Sequence, residues 1–111
     1  MADRVTAVLG LAGLARRGGN LVVGRDAVRE AVRHRSVSLV VLATDAGAAL
    51  VREMERLAME AQVPVLRIGT RDRLGKAVGK ARVAVSAFTD AGLAEAAQTA
   101  AENQSFVRRQ V

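Results

Sequence analysis

The apolar positions of this chain recur at two spacings, and each spacing predicts a different kind of element. Recurrence every three to four residues predicts a helix with one inward face, whereas a short, nearly continuous apolar run predicts a strand covered on both sides. By this pattern, five helices and four strands follow one another along the chain. The predicted helices cover 4–17, 25–35, 47–62, 71–79 and a stretch that begins at residue 91, and the predicted strands cover 21–23, 38–43, 63–68 and 82–87.

Turn and capping residues separate these elements. Glycines at 18–19 end the first helix, and the Thr-Asp pairs at 44–45 and 89–90 are typical of N-caps. Gly10 and Gly13 lie inside the first helix, where glycine is unfavourable by about 1 kcal/mol relative to alanine, so we expect close helix packing there. The alternation of helices and strands favours an α/β fold, with helices on both faces of a small and mostly parallel sheet.

The helix that follows Gly24 carries two unlike stripes. One stripe is apolar and is expected to pack inward, while the other consists of arginines at a spacing of four residues and is expected to face solvent. A helix N-terminus beside guanidinium groups favours phosphate, and a glycine at the junction lets another backbone come close. The segment therefore predicts a nucleic-acid interface. The apolar stripe comprises Ala27, Val28, Ala31 and Val32, and the arginine stripe comprises Arg25, Arg29 and Arg33.

Positive charge is concentrated in two segments. The chain has 17 basic and 11 acidic residues, which gives a net charge of +6. An arginine bias can also come from a GC-rich genome, so the distribution is more informative than the total. Six basic residues fall within 16–35 and six within 67–82, whereas the two basic residues of 44–62, Arg52 and Arg56, are flanked by acids. If the fold brings the two segments together, they form one basic patch.

Several classes of site are excluded by composition. The chain has no cysteine and one histidine, His34, which argues against a zinc site of the usual kind. Its apolar runs are too short to span a membrane, and no signal peptide is recognised, so we expect a cytoplasmic protein. The glycines match neither a phosphate loop nor a dinucleotide fingerprint. No arrangement of side chains suggests catalysis, and we expect neither enzymatic activity, a metal nor a cofactor.

An aromatic platform for stacking bases is also absent, since Phe88 and Phe106 are the only aromatic residues. Readers of single-stranded RNA stack bases on such side chains. If this protein binds RNA, we expect it to recognise backbone shape through amides and arginines.

Three stretches resemble one known family. They are the glycine-rich segment 13–24, the strand segment SLVVLATD at 38–45, and VPVLRIGTRDRLGKAVGK at 63–80, which runs into RVAV. Together they are similar to the bacterial YlxQ-like branch of the ribosomal protein L7Ae/L30e superfamily, over about residues 5–100. The resemblance implies a three-layer α/β/α sandwich with a small mixed four-stranded sheet. It places a single domain at 1–101, and the polar tail at 102–111 is expected to fray.

The same resemblance implies an RNA site at the start of the second helix. Family members that bind kink-turn RNA, a sharply bent duplex with tandem G·A pairs, have a Gly-Thr-Asn-Glu-x-x-Lys motif there. In this chain Gly24 keeps the glycine, whereas Arg25, Asp26, Ala27 and Glu30 occupy the Thr, Asn, Glu and Lys positions. Asp26 lacks the amide donor of Asn, and an acid near phosphate weakens binding.

A second RNA-contacting element of the family is the loop after the short fourth helix. Here this loop is 79–82, preceded by Lys76, and the family places it beside the start of the second helix. That arrangement would join the two basic segments, and Ala81 would contact a flipped base. The predicted RNA-binding residues are Gly24, Arg25, Asp26, Arg29, Arg33, Lys76, Lys80, Ala81 and Arg82.

The combined prediction is a non-enzymatic RNA-binding protein of the ribosome or translation apparatus that recognises kink-turn-like RNA by shape. Its expected partners are structured ribosomal or kink-turn-containing RNA and the ribosome, with no membrane and no small-molecule substrate. An alternative is a protein–protein interaction module on the same fold, which Asp26 and Glu30 favour. A third interpretation is part of an enzyme, since GRDAVREAVR followed by an LVV strand resembles the substrate-binding domain of SpoU-type ribose methyltransferases. We expect that this chain has no room for a methyltransferase domain in addition and could not catalyse alone.

Overall fold

The computed structural model describes residues 3–110, with the side chains of residues 3–102. It contains the helices and strands that the pattern predicted, in the same order. Two boundaries differ for a visible reason. The second helix ends before Arg35, which has a left-handed φ of 57°, and the fourth strand begins late because the Val83 amide donates to the Arg71 carbonyl at 3.0 Å. The elements are α1 (Arg4–Arg17), β1 (Leu21–Val23), α2 (Arg25–Arg33), β2 (Leu39–Leu42), α3 (Ala48–Ala61), β3 (Val65–Arg67), α4 (Arg71–Ala77), β4 (Val85–Phe88) and α5 (Ala91–Gln110).

The four strands form one mixed sheet in the order β1-β4-β2-β3. Only β2 and β3 pair in parallel, with Val41 opposite Leu66, whereas β4 is antiparallel to both of its neighbours. The mixed sheet confirms what the family resemblance implied. The mostly parallel sheet inferred from alternation is wrong, because alternation of helices and strands does not determine the direction in which each strand enters the sheet.

The sheet separates two hydrophobic clusters, which gives the predicted three layers. Helices α1, α4 and α5 cover one face, and α2 and α3 cover the other. All four residues of β2 are fully buried. Leu39 and Val41 contribute to the first cluster, while Val40 and Leu42 contribute to the second. Because successive side chains of a strand point to opposite faces, the nearly continuous apolar run of β2 is explained by helices on both sides.

Asp45 has a different role from the predicted one. The N-cap of α3 is Gly47 and not the 44–45 pair. The Asp45 carboxylate instead accepts a hydrogen bond of 2.8 Å from the backbone amide of Arg71, at the start of α4. This hydrogen bond from Arg71 lowers the pKa of Asp45. Sequence position alone could not distinguish the two roles. It shows that Asp45 lies just before α3, but not that the start of α4 packs beside it in the fold. The predicted cap at 89–90 is confirmed, because the Asp90 carboxylate accepts from the Leu93 amide at 2.8 Å.

The two glycines inside α1 have different explanations. A Cβ at Gly13 would lie 2.8 Å from the carbonyl oxygen of Ala77 in α4, so Gly13 permits the predicted close packing of two helices. A Cβ at Gly10 would have no atom within 4 Å, so the packing prediction is wrong there. Leu14 of α1 is a large apolar side chain that stays 51% exposed.

Two further expectations concern the ends and surfaces of the chain. Of the tail predicted at 102–111, residues 102–110 lie in the last part of α5, and the side chains beyond residue 102 are outside the described residues, so fraying of the tail stays a prediction. Within the described residues, no helix is both long enough and apolar enough to cross a membrane.

Candidate nucleic-acid interface

The two basic segments meet beside the start of α2. The amide of Gly24 donates to the carbonyl of Val85 at 2.9 Å, which holds the β1–α2 junction against the beginning of β4. The loop before β4 therefore lies next to the first turn of α2. Between them is a cavity of about 280 Å³. It is lined by Val23, Gly24 and Arg25 from the first segment, by Lys80, Arg82, Val83, Ala84 and Val85 from the second, and by Leu50 of α3.

Gly24 has a backbone conformation that suits this position. Its φ of 99° and ψ of 158° fall in a region that essentially only glycine occupies. A Cβ built on Gly24 would have no atom within 4 Å, so the space in front of it is open. No side chain among the described residues caps α2. The first amides of this helix therefore remain available to an anion, and the helix dipole favours negative charge there.

Gly75 explains why the loop at 79–82 lies where it does. A Cβ at Gly75 would come within 2.8 Å of the Ala81 carbonyl group and of the Arg82 Cα. Because glycine lacks that atom, the loop packs directly on α4, and the Lys80 amide donates to the Gly75 carbonyl at 2.8 Å. The LGKAVG stretch of the sequence is therefore a loop-positioning motif. Gly75 was not among the predicted site residues, although the motif that contains it was the available signal.

The arginine stripe of α2 does not face solvent throughout. The Arg29 side chain is 24% exposed, and its Nε donates to Glu53 Oε2 at 2.8 Å. Its Nη1 donates to Asp26 Oδ1 at 3.0 Å. The Nε of Arg25 donates to the other oxygen of Glu53, also at 2.8 Å. The prediction that all three arginines face solvent is wrong for Arg29, because helical spacing cannot show that α3 packs beside α2.

The ion pair between Arg29 and Glu53 stabilises the charged form of both groups at the α2–α3 contact. The hydrogen bond from Arg29 lowers the pKa of Glu53, and the same bond raises the pKa of Arg29. Both groups are therefore charged at neutral pH, and Glu53 neutralises part of the positive charge on Arg25 and Arg29. Glu53 and Leu50 are site residues that the sequence did not reveal. An acid or a leucine on a helix carries no signal of which neighbour it will meet.

The remaining cations of the cavity differ in their pairing. Arg82 lies 3.0 Å from Asp72 through its Nε. Lys80 makes no ion pair within the described part of the chain. Among the described residues, Lys80 is therefore the cavity cation whose charge is not shared with an internal carboxylate.

Five of the predicted residues do not line the cavity. Arg33 is eight residues beyond Arg25, or about 12 Å along α2, in a separate depression beside Glu60. Ala81 is exposed but does not line the cavity. Lys76 lines a groove between α1 and α4. Asp26, whose side chain is 94% exposed, and Arg29 do not line the cavity either.

Ala27, predicted to pack inward, is exposed. The buried stripe of α2 is centred on Val28 and Val32, and each helical residue is rotated by about 100° from the one before it. Ala27 therefore falls at the edge of the stripe. Within residues 3–102, no group of three or more His, Cys, Asp or Glu side chains is placed to hold a metal ion.

Known proteins are similar to this chain in sequence and in fold. The profile of the ribosomal protein L7Ae/L30e/S12e/Gadd45 family matches residues 6–98. The RNA-binding protein YlxQ of Bacillus subtilis (strain 168) is 33% identical over 84 residues, which cover 76% of this chain and 84% of that protein.

Two solved structures agree with that assignment. A Bacillus halodurans protein of unknown function has a TM-score of 0.82 at 34% identity, covering 86% of this chain and 96% of that one. The 15.5 kDa RNA-binding protein of Giardia lamblia has the same fold, with a TM-score of 0.77 at 17% identity, covering 96% of this chain and 92% of that one. The chain therefore belongs to the ribosomal protein L7Ae/L30e/S12e/Gadd45 family, in its YlxQ-like branch.

Proposed function

We propose that this protein is a non-enzymatic RNA-binding protein of the translation apparatus, which recognises kink-turn-like RNA by shape at the Gly24 cavity. The observation that carries the proposal is the cavity itself. An uncapped helix N-terminus opens onto it through Gly24, and cations from two distant segments surround it. The name of the Bacillus subtilis relative, an RNA-binding protein, supports the same class of ligand.

The chemistry of the cavity suits a bent phosphate backbone. The amides of the first turn of α2 and the ammonium group of Lys80 both favour phosphate oxygens. Gly24 lets the RNA backbone come close, since no side chain stands in front of it. The small cavity has no aromatic lining, which argues against stacking of bases as the main source of affinity.

A competition assay tests the proposal. Labelled kink-turn RNA competes with the same duplex lacking its tandem G·A pairs, at a salt concentration of about 150 mM. We expect a preference of tenfold or more for the kink-turn, about 1.4 kcal/mol. Equal competition by the two RNAs would contradict shape recognition at this site.

Matched double variants locate the binding. Lys80→Ala/Arg82→Ala removes two charges at the cavity, whereas Arg52→Ala/Arg56→Ala removes two exposed charges from α3. Both variants change the net charge equally, so non-specific attraction falls equally in both. We expect only the cavity variant to lose the preference for the kink-turn. Equal losses would show that the attraction is not localised.

A second candidate function is a protein-binding module on the same fold. Asp26 and Glu30 favour it, since both are exposed at the positions where kink-turn binders have Asn and Lys. This function predicts weak binding to both RNAs. It also predicts that Asp26→Asn/Glu30→Lys raises the affinity for kink-turn RNA, but does not produce a preference for it over the duplex that lacks the G·A pairs.

A further inference from the structure

A second basic surface lies between α1 and α4. It is a groove of about 470 Å³, and it shares no lining residue with the Gly24 cavity. Arg17 enters it from α1, and Arg73 and Lys76 enter it from α4. Gly10 and Gly13 form part of its wall without side chains. No acidic residue lines the groove.

The cations of this groove are less engaged than those of the Gly24 cavity. Within the described residues, neither Arg17, Arg73 nor Lys76 forms an ion pair. Arg73 makes one hydrogen bond, to the hydroxyl of Thr6 at 3.3 Å. The nearby acid, Asp3, is occupied by the Thr6 amide at the start of α1. An anion in the groove would therefore not need to displace an internal carboxylate.

The groove and the cavity are linked through the end of α4. Lys76 lies in the last turn of α4, and Lys80 lines the cavity four residues later. Four residues span at most about 14 Å even when fully extended. The turn between them is compact, since the Gly79 amide donates to the Lys76 carbonyl at 3.4 Å and the Lys80 amide donates to the Gly75 carbonyl at 2.8 Å. The two basic surfaces are therefore adjacent.

We propose that the α1–α4 groove binds a second stretch of RNA phosphate backbone, continuing from the strand at the Gly24 cavity. This inference rests on the proposed function. Guanidinium groups match phosphate oxygens, and Gly10, which has open space in front of it, lets a backbone approach the groove wall. The positive net charge of +6 attracts RNA and an acidic protein segment alike, and adjacency to the Gly24 cavity favours RNA as the occupant.

Two RNAs of different length test the groove. One carries only the kink-turn, and the other has a longer stem on the side that would extend from the cavity toward α4. We expect the wild-type protein to bind the longer RNA more tightly. In Arg17→Ala/Lys76→Ala that gain disappears, whereas Arg52→Ala/Arg56→Ala keeps it. Each phosphate contact contributes about 0.7–0.9 to the slope of log K against log salt, so loss of two contacts lowers that slope by about 1.4–1.8.

Lysine acetylation gives an independent readout on the wild-type chain, without any substitution. Lys76 and Lys80 are its only lysines, so a trace of amine-reactive reagent followed by mass spectrometry reports each surface separately. Both RNAs should protect Lys80, and only the longer RNA should protect Lys76. Poly-glutamate serves as the probe for an acidic protein segment. Protection of Lys76 by poly-glutamate but by neither RNA would overturn the proposal in favour of an acidic protein partner.

The outcomes distinguish failure of the groove from failure of the proposed function. Protection of Lys80 without protection of Lys76 by the longer RNA overturns the groove alone. Absence of Lys80 protection and of kink-turn preference contradicts the proposed function at the cavity. In that case, if Arg17→Ala/Lys76→Ala and Arg52→Ala/Arg56→Ala change the affinity for the longer RNA equally, the groove proposal is overturned as well.

Discussion

At the scale of single residues, Gly24 joins the conformation of the chain to its proposed chemistry. Its φ of 99° and ψ of 158° are costly for any residue with a Cβ, although nothing obstructs the Cβ itself. A substitution at Gly24 is thus expected to act through backbone strain and not through a clash. Charged substitutions there would combine strain with electrostatics, which makes alanine the cleaner test.

We expect Gly24→Ala to lower the free energy of unfolding by about 1–3 kcal/mol, the usual cost of a strained backbone conformation. Gly10→Ala is the matched control, because Gly10 also has open space around it but lies within a regular helix. There alanine should raise stability by up to about 1 kcal/mol. Urea unfolding of the two variants measures the difference, and changes of the same sign would contradict this account.

At the scale of elements, the packing of α2 on α3 controls how much charge the cavity presents. The side chain of Glu53 is 17% exposed, and its two carboxylate oxygens lie 2.8 Å from the Nε atoms of Arg25 and Arg29. The hydrogen bond from Arg29 lowers the pKa of Glu53. A carboxylate with a lowered pKa stabilises the folded state above its unfolded pKa, and that contribution is lost as the pH falls through the folded value.

We therefore expect Glu53→Gln to be less stable than wild type at pH 7, with a gap that narrows as the pH falls below about 4, near the ordinary pKa of glutamate. Asp3 and Asp45 also have lowered pKa values, but they are present in both proteins and cancel in the difference. Glu55→Gln, which removes an exposed acid of the same helix, is the control. A gap that is equal at pH 7 and pH 3 would show that Glu53 acts by packing alone.

The contact between α4 and the 79–82 loop gives a second prediction for an element. Gly75→Ala places a methyl group 2.8 Å from backbone atoms of Ala81 and Arg82, and backbone cannot rotate away as a side chain can. We expect a loss of about 1–3 kcal/mol in stability, typical of overpacking, and weaker binding of kink-turn RNA because Lys80 and Arg82 move. Binding is measured by competition under conditions in which circular dichroism shows the variant folded. Unchanged RNA affinity would mean that the position of this loop does not matter.

Sequence patterns predicted the elements, and the resemblance to a family implied that the two basic segments meet, but neither gave the partners of each side chain. The run of β2 and the glycine of α2 were recognisable because apolar periodicity and glycine have strong local meanings. The roles of Glu53 and Asp45 were not, because each depends on an element distant in sequence. The direction of β4 in the sheet was likewise outside what local pattern contains, and the resemblance to a family implied only that the sheet is mixed.

At the scale of the whole molecule, the two hydrophobic clusters share the central strands β2 and β4. Neither face can lose its helices without exposing apolar residues of the same strands. Shared strands couple the two clusters, and small single domains generally unfold in one transition.

Met54→Ala on one face and Leu74→Ala on the other remove fully buried side chains. Each should lower the free energy of unfolding by about 2–5 kcal/mol, and both should shift one common transition. Coincident curves from far-UV circular dichroism and from hydrogen exchange of β2 and β4 amides would confirm the coupling. Two separate transitions in either variant would show that the faces unfold independently.

The position of β4 in the sheet has a consequence for the order of events during synthesis. β1 pairs with β4 and not with the strand that follows it, since Leu21 lies opposite Phe88. At elongation rates of about 5–20 residues per second, Leu21 precedes its partner by roughly 3 to 13 s. During that interval the Gly24 amide lacks Val85 as an acceptor and the cavity has only one wall. If RNA binds at the cavity as proposed, a nascent chain cannot bind it there until Val85 has been made.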